Sequence, residues 1–337
     1  MSKNSVICVR VDKWGLELAK QVFASVHYNA SWQGDLLLLA HRITESDLSW
    51  FRKRGILVKK CKPLYSVGKW PEYSASKLYI FTKEMKRWDR VILLDADIIV
   101  RASLDRLTKI NGFAAASEID EQLLISQFNL ESYKDWQALK KIEAKINKKI
   151  DLTKPAFNGG VLVFNTDIIH KNTFNELEKL LETISKIAAF ADQTALNLYF
   201  YDEWNKLPRI YNLHPLLYMN AYHVKPEKIR GINLHFAGFE PKGKPFHPQN
   251  PFHKEWSRNL KKAESLDRKT IPPPKEAWSN YQIWFNEKYL ALKRFKHSPF
   301  DLLLQKLLVG LKILKYSFRQ SHPYAYLLLK SIHKKVK

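Results

Sequence analysis

Residues 90–100 read RVILLDADIIV: residues 91–94 are apolar and lead straight into Asp95-Ala96-Asp97, and residues 98–100 are apolar again. Apolar residues on both sides predict one buried strand through the whole segment. Side chains two apart in a strand share a side, so Asp95 and Asp97 are expected together. Two ionised carboxylates in apolar surroundings repel each other, and each is costly to bury unpaired. A divalent cation relieves both problems. Oxygen ligands suit Mg²⁺ or Mn²⁺, and an added imidazole leans towards Mn²⁺. The plain alternative is that one Asp caps the next turn and the other pairs with a lysine. In open parallel sheets ligands bind beyond the carboxyl ends of the strands, which is where this pair belongs.

Outward from that segment, strands and helices alternate. Residues 5–11 (SVICVRV) and 35–40 (DLLLLA) read as buried strands, and residues 56–60 begin a third. Residues 16–28 have helical spacing in Leu16, Ala19, Phe23 and Val26, and residues 44–54 predict a helix with Thr44 as N-cap and Gly55 at its end. This β-α-β-α-β order with all-apolar strands predicts a parallel sheet covered on both faces. Residues 74–88 predict a further helix, with Leu78, Phe81, Thr82 and Met85 on one side. Residues 123–149 are polar and lysine-rich and read as a helical excursion. Residues 157–165 (FNGGVLVFN) read as a strand with a glycine pair at its entrance, residues 173–189 and 192–200 as helices, and residues 231–236 (GINLHF) as a late strand. His235 in that strand has two readings, since a lone histidine beside apolar residues is more often a core residue than a ligand. A proline-rich break at residues 271–275 (IPPPK) precedes a basic tail.

Taken together, these motifs resemble family 8 of the retaining glycosyltransferases. SKLYIFTKEMKRWDRVILLDADIIVRASLDRL resembles the family's central block, and FNGGVLVFN its F-N-[S/T/A]-G-V block. ADQTALNLYF resembles its D-Q-x-x-L-N block, and LHFAGFEPKGKPF its H-[F/Y]-x-G-x-x-K-P-W block. The order and rough spacing agree, from the first strand to about residue 256. The resemblance implies a GT-A fold, a Rossmann-like nucleotide-diphospho-sugar transferase with a mixed, mainly parallel sheet flanked by helices. The catalytic domain is then expected over residues 1–256, with a basic, amphipathic helical extension over 257–337. It also implies retaining transfer of a hexose, glucose or galactose, from a UDP-sugar to a glycan or glycolipid acceptor. Synthesis of lipopolysaccharide, lipooligosaccharide or another cell-surface glycan is the expected setting.

By the same resemblance, Asp95, Asp97 and His235 hold Mn²⁺, with Mg²⁺ as the alternative. Asp192 and Gln193 match the catalytic pair near the reacting carbon. Lys77, Ala96, Asn158, Gly159 and Gly238 fall at donor-binding positions, and Asp12 is the candidate for the uracil contact. Glu118 stands where the family has a sugar-contacting Asp, and its longer side chain bears on donor choice. The family's diphosphate lysine follows the metal histidine by six residues; here that position is Pro241, so Lys242 and Lys244 both remain candidates. Each position also has a plainer reading: a solvated helix lysine for Lys77, a bulge for Gly159 and Gly160, an N-cap for Asp192. Because Gln is a poor nucleophile, same-face attack is favoured over a covalent intermediate.

The chain has 337 residues, a formal net charge of +23, and only two cysteines, Cys8 and Cys61. Two cysteines make no disulfide framework, and the opening MSKNSVICVRVDKWG holds no apolar run of signal length. A cytosolic protein is therefore expected. The charge calls for a polyanionic partner. After Lys288 the only acid is Asp301, among cations that include Lys293, Arg294, Lys296, Lys306, Lys312, Lys315, Arg319, Lys330, Lys334, Lys335 and Lys337. Residues 301–319 (DLLLQKLLVGLKILKYSFR) place Asp301, Gln305, Lys312, Lys315 and Arg319 at helical spacing, opposite Leu303, Leu304, Leu307, Leu308, Leu311 and Leu314. Such a helix suits an anionic membrane surface, with Trp284, Phe285, Tyr316, Phe318, Tyr324 and Tyr326 as interfacial aromatics. The protein is then expected peripherally on the cytosolic face. The plainer reading is a helix packed on the catalytic domain. Nucleic-acid binding is not expected, because no recognisable module for it is present. Competing functions are a non-catalytic binding or scaffold protein and a glycogenin-like self-glucosylating initiator, with Tyr324 and Tyr326 as acceptors.

Overall fold

The computed structural model describes residues 4–64, 72–238, 240–297 and 299–326; Lys330, Lys334, Lys335 and Lys337 of the basic tail lie outside them. The first half alternates as its apolar pattern dictates: β1 (Ser5–Val11), α1 (Leu16–Tyr28), β2 (Asp35–His41), α2 (Glu45–Lys53) and β3 (Leu57–Cys61). β4 (Arg90–Leu94), β5 (Ile98–Val100), β6 (Phe113–Ser117), α3 (Tyr133–Lys145) and β7 (Phe157–Asn165) follow. Then come α4 (Thr173–Ile184), α5 (Ala191–Tyr199), β8 (Trp204–Leu207), α6 (Pro215–Asn220), β9 (Asn233–His235), α7 (His253–Ala263), α8 (Asn280–His297) and α9 (Asp301–Ser321).

The main sheet has the order β3-β2-β1-β4-β7-β6-β8. Pairs β1/β2, β1/β4, β2/β3 and β6/β8 are parallel, and β7 runs antiparallel between β4 and β6. The fold is thus the expected mixed, mainly parallel sheet flanked by helices. Alternation along β1 divides the core into two layers. Ile7, Val9 and Val11 face one layer with α1, while Val6 and Cys8 face the other. Both cysteines are free and buried.

Two expectations are corrected. Residues 90–100 are not one strand. The Asp95 amide donates to the Gly160 carbonyl at 2.8 Å, the Ile98 amide returns to the Asp95 carbonyl at 3.2 Å, and the chain turns at residues 95–97. β5 then leaves the main sheet and pairs antiparallel with β9, with Ile98 opposite His235. Residues 74–88 are not an α-helix either, but two 3₁₀ segments, Glu72–Phe81 and Lys83–Arg87, separated by extended Thr82. Residues 74–78, 80 and 81 are all buried, so no solvent face exists for an amphipathic α-helix. Three residues per turn instead stack Ser74 and Lys77 on one edge. The excursion over residues 123–149 is helical only in part, as a short 3₁₀ turn at Leu124–Gln127 and α3.

The C-terminal helices straddle the two core layers. Leu290 of α8 joins the α1 layer, and Val309 and Tyr316 of α9 join the other, with Tyr316 stacked on Trp136 at 5.1 Å. The face of α9 that packs is therefore Val309, Ile313 and Tyr316, not the leucines. Leu303, Leu304, Leu307, Leu308, Leu311 and Leu314 are all exposed. Among the described residues no helix is long and apolar enough to cross a membrane.

Candidate active site

The β5–β9 register brings His235 to the turn that carries the two carboxylates. His235 Nε2 lies 3.2 Å from Asp97 Oδ1 and 3.7 Å from Asp95 Oδ2. The three side chains offer ligand atoms that all lie within 4.8 Å of one another. Adjacent ligands of an octahedral ion with bonds of about 2.1 Å stand about 3 Å apart, so the 3.2 and 3.7 Å separations from His235 Nε2 suit a small divalent cation once the side chains close slightly around it. The carboxylates meet not by the two-residue period of a strand but through the turn between β4 and β5.

A chain of hydrogen bonds fixes which histidine nitrogen faces the carboxylates. The Gly160 amide donates to Asn158 Oδ1 at 2.9 Å, which identifies that atom as the oxygen. Asn212 Nδ2 must then donate to the same oxygen, at 2.9 Å. Asn212 Oδ1 is left to accept from His235 Nδ1–H at 2.8 Å. The network therefore keeps a proton on Nδ1 and leaves Nε2 facing Asp95 and Asp97, as the nitrogen that would ligate a metal held there. Gly160 is obligatory at this contact. A Cβ there would stand 2.2 Å from His235 Cε1 and 2.4 Å from Nδ1. His214 packs against the His235 ring at 4.8 Å between centroids, and burial with the neighbouring His235 holds its pKa well below the usual histidine value. His214 therefore adds no positive charge beside the carboxylates.

Two lysines approach the turn from opposite sides. Lys77 Nζ is 2.8 Å from Asp95 and 3.8 Å from Asp192, and donates to the Gly159 carbonyl at 3.1 Å. Burial alone would depress the Lys77 pKa, but Asp95 and Asp192 more than offset it, and the ammonium is held charged. Lys244 Nζ is 2.5 Å from Asp97 and 2.8 Å from the Phe236 carbonyl. Burial pushes the Asp97 carboxyl up, but His235 and Lys244 outweigh it and keep it well below the usual carboxylate range.

Beyond the turn lies a cavity of about 440 Å³, lined by Arg10, Lys77, Glu118, Asn158, Asp192, Gln193 and Gly238 among others. It shares Arg10, Asp95, Asp97 and Lys244 with an adjoining cavity of about 360 Å³ that holds Asp12, Trp14 and Ala96. At the start of α5, Asp192 is 8% exposed; its Oδ1 accepts from the Gln193 amide at 3.0 Å, and its Oδ2 has no hydrogen-bond partner. Burial raises its pKa. Gln193 Oε1 accepts from the Gly159 amide at 2.8 Å, and its Nε2 donates to Glu118 and, at 3.1 Å, to Gln127. Glu118, also raised by burial, accepts from the Ile119 amide at 2.7 Å and from Asn158 at 3.0 Å. The residues after it, Asp120 (φ 57°) and Glu121 (φ 53°), are both left-handed, a state that costs a non-glycine residue about 1–2 kcal/mol.

The structure brings nearly every expected residue to this cleft. Asp12 lies in the adjoining cavity, where Oδ1 caps a short turn by accepting from the Trp14 and Gly15 amides at 3.0 and 3.2 Å. Of the two candidate lysines, Lys244 faces the site, whereas Lys242 is exposed on the turn Pro241–Gly243. Gly159 contributes its backbone, and Gly238 has φ +112° with open space around it, a conformation suited to glycine. Sequence reasoning did not single out Arg10, Trp14 or Asn212, and took Gly160 only as part of a bulge. Arg10 carried a signal, as a charge in the apolar run of β1. Trp14 is 88% exposed at the cleft mouth and gave none. Asn212 lies in no motif.

The family model for glycosyl transferase family 8 matches residues 16–248. Galactinol synthase 4 of Arabidopsis thaliana is 23% identical over 217 residues, 59% of this chain and 61% of its own length. Galactinol synthase 2 of Solanum lycopersicum is 24% identical over 234 residues, 67% of this chain and 63% of its own. The chain thus spans about three fifths of the length of these plant relatives. Among solved structures, the galactosyltransferase LgtC in complex with donor and acceptor sugar analogues superposes with a TM-score of 0.54 at 19% identity, covering 79% of this chain and 97% of LgtC. At that identity the likeness establishes the GT-A-like fold.

Proposed function

We propose, from the premise that this chain belongs to glycosyl transferase family 8 and is a glycosyltransferase, that it moves a hexose from a UDP-sugar to a glycan acceptor with retention at the anomeric carbon. The observation that carries the reading is the cluster of Asp95, Asp97 and His235, with His235 Nε2 facing both carboxylates. The names of the relatives, galactinol synthases and a galactosyltransferase, favour galactose over glucose as the first donor to test.

Asp95, Asp97 and His235 would hold Mn²⁺, or Mg²⁺ in its place. Such an ion supplies Lewis acidity where the leaving diphosphate gathers charge. Lys244 is placed to swing from Asp97 to a diphosphate oxygen and stabilise the same charge. Trp14 and Asp12 offer a flat aromatic face and an acceptor at the cleft mouth for the uracil base. Deeper in, Asp192 Oδ2 has no hydrogen-bond partner, only the Lys77 ammonium 3.8 Å away, and is placed to accept from a sugar hydroxyl, while its charge favours an oxocarbenium-like carbon. Gln193 Oε1 is occupied by the Gly159 amide. An amide oxygen tied in this way is a poor nucleophile, which supports same-face attack by the acceptor. Glu118, Asn158 and the Gly159 backbone form the wall against which the sugar would be read.

The acceptor is proposed to be a glycolipid of a cell-surface glycan, reached at the cytosolic face of a membrane. Support comes from α9, whose exposed Leu303, Leu307, Leu311 and Leu314 have Lys312 and Lys315 alongside. The test is UDP release from a panel of UDP-sugars with and without Mn²⁺, since transferases slowly hydrolyse their donors. Mn²⁺-dependent release from UDP-galactose supports the reading; absence of both release and UDP-sugar binding would overturn it. Hexose mass added to the protein itself, and lost in Tyr324→Phe, would instead point to self-glycosylation.

A further inference from the structure

We infer that Arg294, far along the chain in α8, is a positioning residue for Glu118, so that the C-terminal extension completes the sugar end of the cleft. The inference rests on the reading of that cleft as a sugar-nucleotide site.

Glu118 ends β6 and opens a tight turn, closed by the Glu121 amide donating to the Glu118 carbonyl at 2.8 Å. Glu118, Ile119 and Gln122 line the cleft. Asp120 (φ 57°, ψ 28°) and Glu121 (φ 53°) are both left-handed; Asp visits this conformation occasionally, but Glu is not a residue that takes it readily. Something outside the turn must hold them. Arg294 Nε is 3.0 Å from Asp120 Oδ1, one terminal nitrogen donates to the Asp120 carbonyl at 3.1 Å, and the other pairs with Glu121. A single planar guanidinium thus engages both left-handed residues and the backbone between them. Its side chain is only 12% exposed. Other groups grip one residue each: Tyr222 donates to Asp120, and Lys206 (3.1 Å) and Arg209 (3.6 Å) face Glu121.

Arg294 is itself held in place. Leu290, one turn earlier on α8, is 1% exposed in the core, and Glu287 accepts from the Ile210 amide at 2.8 Å. On the cleft side the Ile119 amide donates to Glu118 Oε1, so the turn and the Glu118 carboxylate move together. That carboxylate in turn holds Asn158 and Gln193. Without Arg294, two acids lose their common cation and the left-handed pair loses its brace. The turn then relaxes and carries Glu118 away from the sugar wall. The metal ligands and the nucleotide end are on other elements and stay put.

Four proteins test this: wild type, Arg294→Ala, Arg294→Lys, and Arg294→Ala combined with Asp120→Gly and Glu121→Gly. Amide hydrogen exchange of residues 117–122 reads the turn without substrate. Calorimetry with Mn²⁺ compares UDP with UDP-galactose. Arg294→Ala is expected to speed exchange in that segment and leave UDP affinity unchanged. It should weaken UDP-galactose by between about tenfold and about a hundredfold, the scale of a small misplacement at a site. Arg294→Lys, which keeps the charge but not the fork, should show the same pattern and serves if the alanine variant is unstable. The two glycines adopt the left-handed conformation without a brace, so they should restore most of the UDP-galactose affinity. Unchanged UDP-galactose binding in both Arg294 variants would overturn the inference, as would an equal loss for UDP and UDP-galactose or a failure of the glycines to rescue. If wild type binds UDP-galactose no better than UDP, the sugar-site reading falls first and this inference with it.

Discussion

In the cleft, Asp95 follows the apolar strand β4, Asp97 precedes the apolar strand β5, and Lys77 and Asp192 are charged groups that are themselves buried. On α9, Leu303, Leu307, Leu311 and Leu314 stand in water. The first region places charge where hydrocarbon is expected, and the second places hydrocarbon where charge is expected. In the proposed function each departure answers to a partner of opposite character: a cation and an anionic substrate for the cleft, an apolar medium for the helix. The inner face of α9 shows that the helix did not lack a packing face, since Val309, Ile313 and Tyr316 already seat it on α3. The outer leucines are therefore additional to what folding needs.

The largest effect that would break this comparison is at the metal turn. Asp97→Asn should reduce Mn²⁺-dependent UDP release by at least about a hundredfold, the order expected when charge stabilisation at a leaving group is lost. Circular dichroism and the melting temperature should stay near wild type, because β4, β5 and β9 keep their ladders. Gly160→Ala comes next. Its methyl group would occupy the place of the His235 ring, so Mn²⁺ affinity should fall by about ten- to a hundredfold in a titration, the usual scale for disturbing what orients a ligand.

The helix is tested by Leu307→Asp with Leu311→Asp. Vesicles of anionic lipid should bind this variant at least about a hundredfold less than wild type, from the loss of two leucines at about 1.5–3 kcal/mol each when fully buried. Donor hydrolysis in solution should not change. Val309→Ala, on the inner face, should do the reverse: vesicle binding stays, and stability drops by about 1.5–2 kcal/mol in a denaturant titration. A variant that altered both properties alike would dissolve the distinction between the two faces.

The smallest effect is a pH dependence. Burial raises the folded pKa of Asp192 above its unfolded value. Its ionised form therefore opposes folding above that raised pKa, and the opposition fades as pH falls through it. Asp192→Asn, without metal, should melt a few degrees higher than wild type at neutral pH, with the gap closing as pH falls. A gap that widened on acidification would contradict the assignment of a raised pKa.

Much of this was legible in the sequence, and the limits follow a pattern. The apolar runs of β1, β2, β4 and β7 declared the sheet, and the DADIIV, FNGG, DQTALN and LHFAG segments named most of the cleft. What escaped depended on contacts between distant residues. The turn at Asp95–Asp97 exists because Asp95 bonds Gly160 and Ile98 faces His235, and neither pairing follows from local pattern. Residues 74–88 look amphipathic, but burial around residues 74–81 imposes a tighter helix there. Asn212 and Arg294 lie in no motif and act only through their partners, 54 residues from Asn158 and 173 from Glu121. That Lys244 and not Lys242 faces Asp97 depends on which side of the turn each occupies, and no local pattern shows it.

The central claim is that Asp95, Asp97 and His235 form one divalent-metal centre that serves a nucleotide diphosphate. Electron paramagnetic resonance of Mn²⁺ titrated into the protein, with and without UDP, tests it most directly. One tightly held Mn²⁺ per chain, tightened by UDP and lost in Asp95→Asn/Asp97→Asn, is the predicted result. Equal Mn²⁺ binding by wild type and that double variant, or UDP binding indifferent to Mn²⁺, would contradict it.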